Sequence, residues 1–428
     1  MRLLILLLLL SKLIFAQYDS AMYDLIKTTY ERSFDKTIIN KYLLADSDKE
    51  IKAAILSIAQ SEDTSFVPGL LKLDLSKYGS EVCFALAQIG KSNQSINFLW
   101  KYLHSSPPPN QISNIFFAIG KIGDEKDLKQ LVEFYNLFDG PIFPYEGVSE
   151  AILQFHIHGI KSDVAKSILE TEITHNLSSK KRIEHALFAL ARFRSSDLTG
   201  REFQNLLESE YAKDDEVFRQ FALMNVNRQI QIDKKVLAKL FESNSPLTKI
   251  QLVKVLHFFE IDSAASSNEI INYYLTLLYD DNQDVSLQAA ISIKDIKDLL
   301  NDSLKTVLKN KIDYLLFDSN KALSFKGELF LSRYQLFGNY AEHEKLLNEL
   351  RLSNKYQIQF FGKHPDSEIA FNKLSDFYRN SSELKTKLES LTQILELKSD
   401  SKYLTEEFKL LLNSLNSDQA PLISVSAD

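Results

Sequence analysis

The segment FFAIGKIGD at residues 116–124 combines two glycines with a lysine, the residue types that cradle phosphate in nucleotide-binding loops. Such loops carry either Gly, four residues and Gly-Lys-Ser/Thr, or three spaced glycines, and they follow a buried strand. Here neither spacing is present, and Gly120 falls inside an apolar pattern of helical period. We therefore interpret Gly120 as a packing residue and Gly123, which precedes Asp124, as the C-terminal cap of a helix.

Histidine and cysteine, which bind metals or act in catalysis, form no recognisable motif. His156 and His158 are the closest pair, but side chains two residues apart on a helix point in roughly opposite directions. A cluster of this pair with His175 and His185 is conceivable, although the sequence has no HExxH and no GxSxG motif. The single cysteine, Cys83, lies between apolar residues and excludes an intramolecular disulfide. We expect no catalytic residue, no metal site and no cofactor.

Two segments are candidates for binding a partner. Residues 178–201 hold many basic and few acidic side chains, an arrangement that can dock an anionic partner. Residues 136–150, NLFDGPIFPYEGVSE, interrupt the helical pattern and carry aromatic side chains that a solvated loop does not need. The candidate binding residues are Lys180, Lys181, Arg182, Arg192, Arg194, Phe143 and Tyr145. The alternatives are a solvated helix end and a loop whose aromatic side chains pack on neighbouring helices.

The elements that position these residues follow from an internal repeat. The segments CFALAQIGK, FFAIGKIGD and FALARFRSS align, and a fourth copy, FALMNVNRQ, starts at Phe221. The aligned Phe84 and Phe117 are 33 residues apart, as are Phe188 and Phe221. Each copy follows a polar opening and precedes a second apolar-periodic stretch, such as SINFLWKYL or DLKQLVEFY. The repeating unit is therefore a helix, a short turn and a second helix.

Weaker copies extend the repeat along the chain. They begin at Ala54, Ala151, Leu252 and Ala289. Asp46, Ser47 and Asp48 are predicted to cap the first helix of a unit, and the prolines of SSPPPN to start another after a stiff turn. One pair of such helices cannot bury its apolar face alone, so units of this kind stack in arrays.

This arrangement resembles the HEAT repeat, in particular the short bacterial type with an ALxxIG-like end to its inner helix. The resemblance is clear over residues 17–243 and weaker over 244–416, where the helical period persists but the alanine and glycine signature fades. It implies an all-α protein, a right-handed α/α superhelix of roughly 11–12 helical pairs with a long concave face. Armadillo-like or tetratricopeptide units are the alternatives.

The two ends of the chain predict export and an unstructured tail. Residues 1–16 have the order of a secretory signal peptide, with cleavage expected after Ala16 and an uncleaved anchor as the alternative. No later stretch reaches 18 apolar residues, so no integral membrane segment is expected after cleavage. Residues 417–428 are polar and predicted to be disordered. The net charge of −7 argues against nucleic acid as a partner.

These features predict an exported scaffold, periplasmic or extracellular, that has no catalytic centre and binds a protein or peptide partner along its concave face. Two alternatives stay open. One is an α/α-fold enzyme, a lyase or a glycan-processing enzyme, which needs carboxylates or histidines clustered around one cavity. The other is a structural protein of the cell envelope. The oligomeric state stays open as well.

Overall fold

The structure, a computed structural model, describes residues 22–137, 145–175, 179–194, 196–260 and 264–397. The predicted signal peptide and tail, and the candidate residue Phe143, lie outside these residues. Helices dominate the described chain, so the all-α class is confirmed. The chain divides into two compact units, Met1–Leu206 and Leu207–Asp428.

Twelve α-helices begin in the described part of the first unit, with one short 3₁₀ turn at Thr64–Phe66. They are α1 Tyr23–Tyr30, α2 Lys36–Leu43, α3 Asp48–Ser61, α4 Val67–Leu70, α5 Leu75–Ile89, α6 Asn93–His104, α7 Pro109–Ile122, α8 Glu125–Leu137, α9 Tyr145–Ile157, α10 Asp163–His175, α11 Lys180–Phe193 and α12 Gly200–Glu208. The prolines of SSPPPN do start a helix, since α7 begins at Pro109.

The second unit holds twelve more α-helices within the described residues. They are α13 Glu210–Asp214, α14 Glu216–Met224, α15 Lys234–Phe241, α16 Pro246–Val255, α17 Ala264–Leu278, α18 Gln283–Ser292, α19 Asp302–Phe317, α20 Leu323–Phe337, α21 Tyr340–Leu350, α22 Asn354–Phe361, α23 Ser367–Asn380 and α24 Leu384–Glu396. Two short strands, β1 Ile230–Gln231 and β2 Phe259–Glu260, pair in parallel.

Helices that follow each other in sequence pack as pairs, and every second helix within a unit also contacts the next of its kind. In the first unit α3, α5, α7, α9 and α11 form such a series, and in the second unit α14, α16, α18, α20, α22 and α24 do. We call each series the alternate-helix layer of its unit. The aligned repeat segments fall on α5, α7, α11 and α14, so the predicted unit of helix, turn and helix is present in the described chain.

The glycines of FFAIGKIGD have structural roles at the contact of α7 with α9. A Cβ atom on Gly120 would lie 2.5 Å from the carbonyl oxygen and 2.6 Å from the Cα of Ala151. Only glycine therefore allows the two helix backbones to come this close. Gly123 is the C-cap of α7 as predicted, but its φ of −72° is not left-handed. A Cβ there would lie 2.6 Å from the Ile119 carbonyl oxygen, so close packing again favours glycine.

The predicted cap of α3 has the right position but another contact. Ser47 precedes the helix, yet its side chain makes no capping hydrogen bond. Asp48 is the first helical residue, and its carboxylate accepts a hydrogen bond of 2.7 Å from the Tyr78 hydroxyl on α5. The acidic residue therefore joins two helices of the layer rather than capping one.

In two of the weak copies, those that begin at Leu252 and Ala289, the α-helix ends inside the repeat segment. After Val255 the chain forms a 3₁₀ turn and then β2, while α18 passes into 3₁₀ helix at Ile293–Leu299. In each case a hydroxyl group of a later helix donates a hydrogen bond to a backbone carbonyl in the last turn of the shortened helix. The Tyr274 hydroxyl donates to the Val253 carbonyl at 2.6 Å. The Ser332 hydroxyl donates to the Ala290 carbonyl at 2.6 Å.

A buried polar network joins α19, α20 and α21. The Arg333 side chain donates hydrogen bonds to Asp313 at 2.6 Å, to Glu342 at 2.7 Å and to Nε2 of His343 at 2.7 Å. Nδ1 of His343 lies 2.9 Å from the Asn339 carbonyl oxygen and donates to it. Both ring nitrogens of the neutral imidazole are therefore satisfied, and burial lowers the pKa of His343.

Candidate partner-binding face

One face of the alternate-helix layer in the first unit carries partly exposed side chains at helical spacing. On α5 these are Lys77, Glu81, Phe84 and Gln88, which follow each other by three or four residues and so share one side of the helix. The residues between them are mostly buried, among them Cys83. The exposed face of α5 is therefore distinct from its packed faces.

Large apolar side chains recur at the same place on this face. Leu56 on α3 is 49% exposed and Phe84 on α5 is 40% exposed, while Phe117 on α7 and Phe188 on α11 are half-buried. We call these four residues the apolar row. On α9 the equivalent residue is Glu150, which interrupts the row. The three phenylalanines are the landmarks of the sequence repeat, yet their exposure was not among the sequence predictions.

Polar contacts between successive helices flank the apolar row. The Lys52 ammonium group on α3 lies 2.6 Å from the Glu81 carboxylate on α5, one turn from Leu56. The Lys121 ammonium group on α7 donates to the Gln88 side chain on α5 at 2.7 Å. These contacts hold neighbouring helices together on the exposed side, so the apolar row is presented by helices and not by loops.

The structure divides the predicted basic residues into two groups. Lys181 and Arg192 point to the same side of α11 as Phe188: Lys181 is 72% exposed with its ammonium group 3.9 Å from Glu146, and the Arg192 guanidinium lies 4.7 Å from the centre of the Phe188 ring. Arg194 is exposed and ends α11 in a left-handed conformation with φ 53°. Lys180 is the half-buried first residue of α11.

Arg182 and Tyr145 instead make contacts in the interior of the first unit. The Arg182 guanidinium donates two hydrogen bonds to Glu172 of α10, one of them at 2.7 Å from Nη2 to Oε1. The Tyr145 ring lies 3.2 Å below the same guanidinium, and the Tyr135 hydroxyl also donates to Glu172. Because Glu172 is only 1% exposed, Arg182 neutralises a buried carboxylate, and this contact alone accounts for its basic side chain.

The histidines lie apart in separate contacts. The His156 ring stacks on a phenylalanine, His175 hydrogen-bonds to a threonine hydroxyl, and Nδ1 of His185 lies 3.3 Å from Glu150. The conceivable cluster of four histidines is therefore not formed. Within the described ranges, no three or more His, Cys, Asp or Glu side chains are grouped so that they could hold a metal ion.

The remaining sequence predictions concern the cysteine and the membrane. Cys83 is fully buried in α5, and burial raises the pKa of its thiol to about 12. The thiolate that a nucleophile needs is thus strongly disfavoured at neutral pH. Among the helices described, none has the length and apolar character needed to cross a membrane.

No protein-family model matches the chain, and no curated protein is significantly similar to it in sequence. The geometry of the apolar row is therefore the main guide to function.

Proposed function

We propose that this chain is an exported, non-catalytic scaffold of HEAT-like repeats that binds a protein or peptide partner. In this proposal the helical pairs wind into a right-handed superhelix, and the alternate-helix layers line its concave face. The observation that supports the proposal is the apolar row, because its members are large and partly exposed and its three phenylalanines occupy one position of the repeat.

The apolar row offers a partner a substantial gain in free energy. Burying a large apolar side chain contributes about 1.5–3 kcal/mol when it is fully removed from water. The exposed fractions of Leu56 and Phe84 leave close to half of that gain available at each. Phenylalanine is also among the residue types that are enriched in the cores of protein interfaces.

The spacing of the row sets the size of the partner segment. Packed helix axes lie about 8–10 Å apart, so a row across α3 to α11 covers about 30–40 Å. An extended peptide of roughly ten residues has this length. Lys181 and Arg192, beside Phe188, add positive charge at one end of the row, where an acidic group of the partner would be attracted.

A capture experiment tests the proposal. The full chain carrying Phe84→Ala and Phe117→Ala is crosslinked in its native compartment and purified with its partner. The matched control is Phe317→Ala, which removes an aromatic side chain that is 57% exposed on α19. We expect the double variant to lose the partner and the control to keep it. Equal recovery by both would reject the apolar row as the binding surface.

Charge is tested separately with Lys181→Glu and Arg192→Glu. Arg182 is left unchanged, because its replacement would leave the buried carboxylate of Glu172 without its ion-pair partner. Loss of binding could then not be distinguished from loss of folding. The expected result is weaker capture with unchanged thermal unfolding.

Export is tested by the mass of the mature protein. The proposal predicts a chain that begins at Gln17, and retention of residues 1–16 in the functional protein would contradict cleavage.

A further inference from the structure

The alternate-helix layer of the second unit contains a polar cavity of about 340 Å³. Lys294 follows α18, Gln335 lies on α20, Gln359 and Lys363 lie on or just after α22, and Gln393 lies on α24. Ligand sites in proteins usually have volumes of about 300–1,000 Å³, so this cavity has room for a small group or one side chain. Four successive helical segments thus contribute polar groups to one place.

The cavity lies on the side of the layer that faces away from α19 and α21. On α20, Glu328, Ser332 and Gln335 line the cavity and are spaced by three or four residues, so they share one side of the helix. Arg333, which contacts α19 and α21, is about 100–160° around the helix from these three residues. Side chains in the cavity are therefore not engaged by the buried network.

Two lysines in this cavity form no ion pair with any carboxylate that the structure describes. Within the described residues, neither Lys294 nor Lys363 has an ion pair within 4.0 Å, and the amides of Gln335 and Gln359 make no hydrogen bond to the protein. Although Lys363 is exposed overall, desolvation against the cavity wall lowers the pKa of its ammonium group, the charge of Lys294 lowers it further, and Glu328 opposes the change. The two ammonium groups therefore repel each other where a bound anion would stabilise both.

The charges around the cavity favour an anion with one negative charge. Glu328 is held by Lys355, whose ammonium group lies 3.0 Å from its carboxylate. Glu396 remains at the rim, where it accepts a hydrogen bond of 2.6 Å from Gln393. Two lysines against one available carboxylate leave a single positive charge. A carboxylate matches that charge, whereas a phosphate monoester carries about −1.5 to −2 at neutral pH.

We propose that this cavity binds a carboxylate group carried by a peptide, either an acidic side chain or a free C-terminus. The ammonium groups of Lys294 and Lys363 bind the carboxylate oxygens, and the amides of Gln335 and Gln359 bind the adjoining peptide groups. Glutamine amides both donate and accept hydrogen bonds, as does a peptide group. This site is separate from the apolar row in the first unit, and the proposal for it does not depend on partner binding at that row.

The test is a binding titration of the full chain by calorimetry and saturation-transfer NMR with four probes. N-acetyl-dialanine presents a free C-terminus, and N-acetylglutamate amide presents an acidic side chain. N-acetylglutamine amide is the neutral match of the second probe, and inorganic phosphate is the competing anion. We expect at least one carboxylate probe to bind more tightly than both the neutral amide and phosphate. The tighter carboxylate probe identifies the source of the carboxylate.

Variants assign the binding to the cavity. Lys294→Gln and Lys363→Gln each remove one charge, and each should weaken carboxylate binding about ten- to hundredfold, the usual effect of losing a charged hydrogen bond. Lys311→Gln, an exposed lysine on α19, is the matched control and should have no effect. Gln359→Ala provides a milder variant, and circular dichroism checks that each variant is folded.

Three results would overturn the proposal: equal binding of the neutral amide, tighter binding of phosphate than of both carboxylates, or unchanged binding in both lysine variants. Loss of capture by the apolar-row variants has no bearing on these titrations, so failure of one proposal is distinguishable from failure of the other.

Discussion

Replacing Gly120 with alanine tests how closely α7 and α9 approach. Alanine is the better helix former, by about 1 kcal/mol in a helix interior. Propensity alone therefore predicts that Gly120→Ala stabilises the first unit. The structure predicts the opposite, because the added Cβ would lie 2.5 Å from the carbonyl oxygen of Ala151.

The size of the effect follows from this overlap. Carbon and carbonyl oxygen normally stay about 3.3–3.6 Å apart, so the Gly120 site is short by roughly 1 Å. The added Cβ would also lie 2.6 Å from the Cα of Ala151. These are backbone atoms, which cannot move to another rotamer as a flexible side chain can. Overpacking of a well-packed interior costs about 1–3 kcal/mol, and separating two helices places this change at the upper end. After the gain in propensity, we expect a net loss of about 1–2 kcal/mol.

The only tryptophan of the chain provides the assay. Trp100 lies in α6, is 7% exposed, and donates a hydrogen bond of 2.8 Å to Asp127 of α8. Its fluorescence during urea unfolding therefore reports the first unit, while circular dichroism reports the whole chain. We expect Gly120→Ala to lower the urea midpoint seen by fluorescence.

The equivalent residue on α11 serves as the control. Ala191 is aligned with Gly120 in the repeat, and Ala191→Gly should also destabilise the unit, by about 1 kcal/mol, through helix propensity alone. Gly120→Ala on α7 and Ala191→Gly at the equivalent position on α11 are thus both expected to lower stability. If Gly120→Ala instead raises the midpoint, the close approach of α7 and α9 is refuted.

Four further predictions concern the pair of Arg182 with Glu172, the polar network around Arg333, and Cys83. Arg182→Met leaves its buried carboxylate partner unpaired and should cost about 3–5 kcal/mol in urea unfolding, whereas Lys181→Ala should change stability by less than about 0.5 kcal/mol. Because burial lowers the pKa of His343, the unfolded chain binds more protons, so the free energy of unfolding should fall as pH drops below 6.5. Hydrogen bonds from Arg333 and Lys309 lower the pKa of Glu342 to about 2, so the free energy of unfolding should fall further below pH 4.5. Urea midpoints measured from pH 8 to pH 3 check both, and a flat profile contradicts them. Cys83 should react with a thiol reagent at pH 8 only after unfolding, and rapid labelling of the folded protein would contradict its burial.

The sequence was most informative where the repeat aligns. Aligned copies identified Gly120 as a packing position and Gly123 as a helix end, because both roles depend on local helical spacing. The alignment located Phe84 and Phe117 but not their exposure. Apolar spacing alone cannot distinguish a core residue from one at the edge of the packed face.

Contacts between side chains of different helices could not be predicted from the sequence. The sequence predicts a basic patch that includes Arg182, because it does not reveal that Glu172 on the preceding helix is buried against this arginine. Lys294 and Lys363 belong to different repeat units, so only the packing of the layer brings them to one cavity. The early end of α16 likewise depends on a hydroxyl supplied by Tyr274 of the next helix.

Site-specific photo-crosslinking tests the central claim most directly. A photoreactive phenylalanine analogue replaces Phe117 in the apolar row, or Tyr314 on α19, whose side chain is 65% exposed and serves as the control. Irradiation in the native compartment should join a protein or peptide to position 117 and not to position 314. Crosslinking at position 314 alone would contradict the assignment of the alternate-helix layer as the binding face.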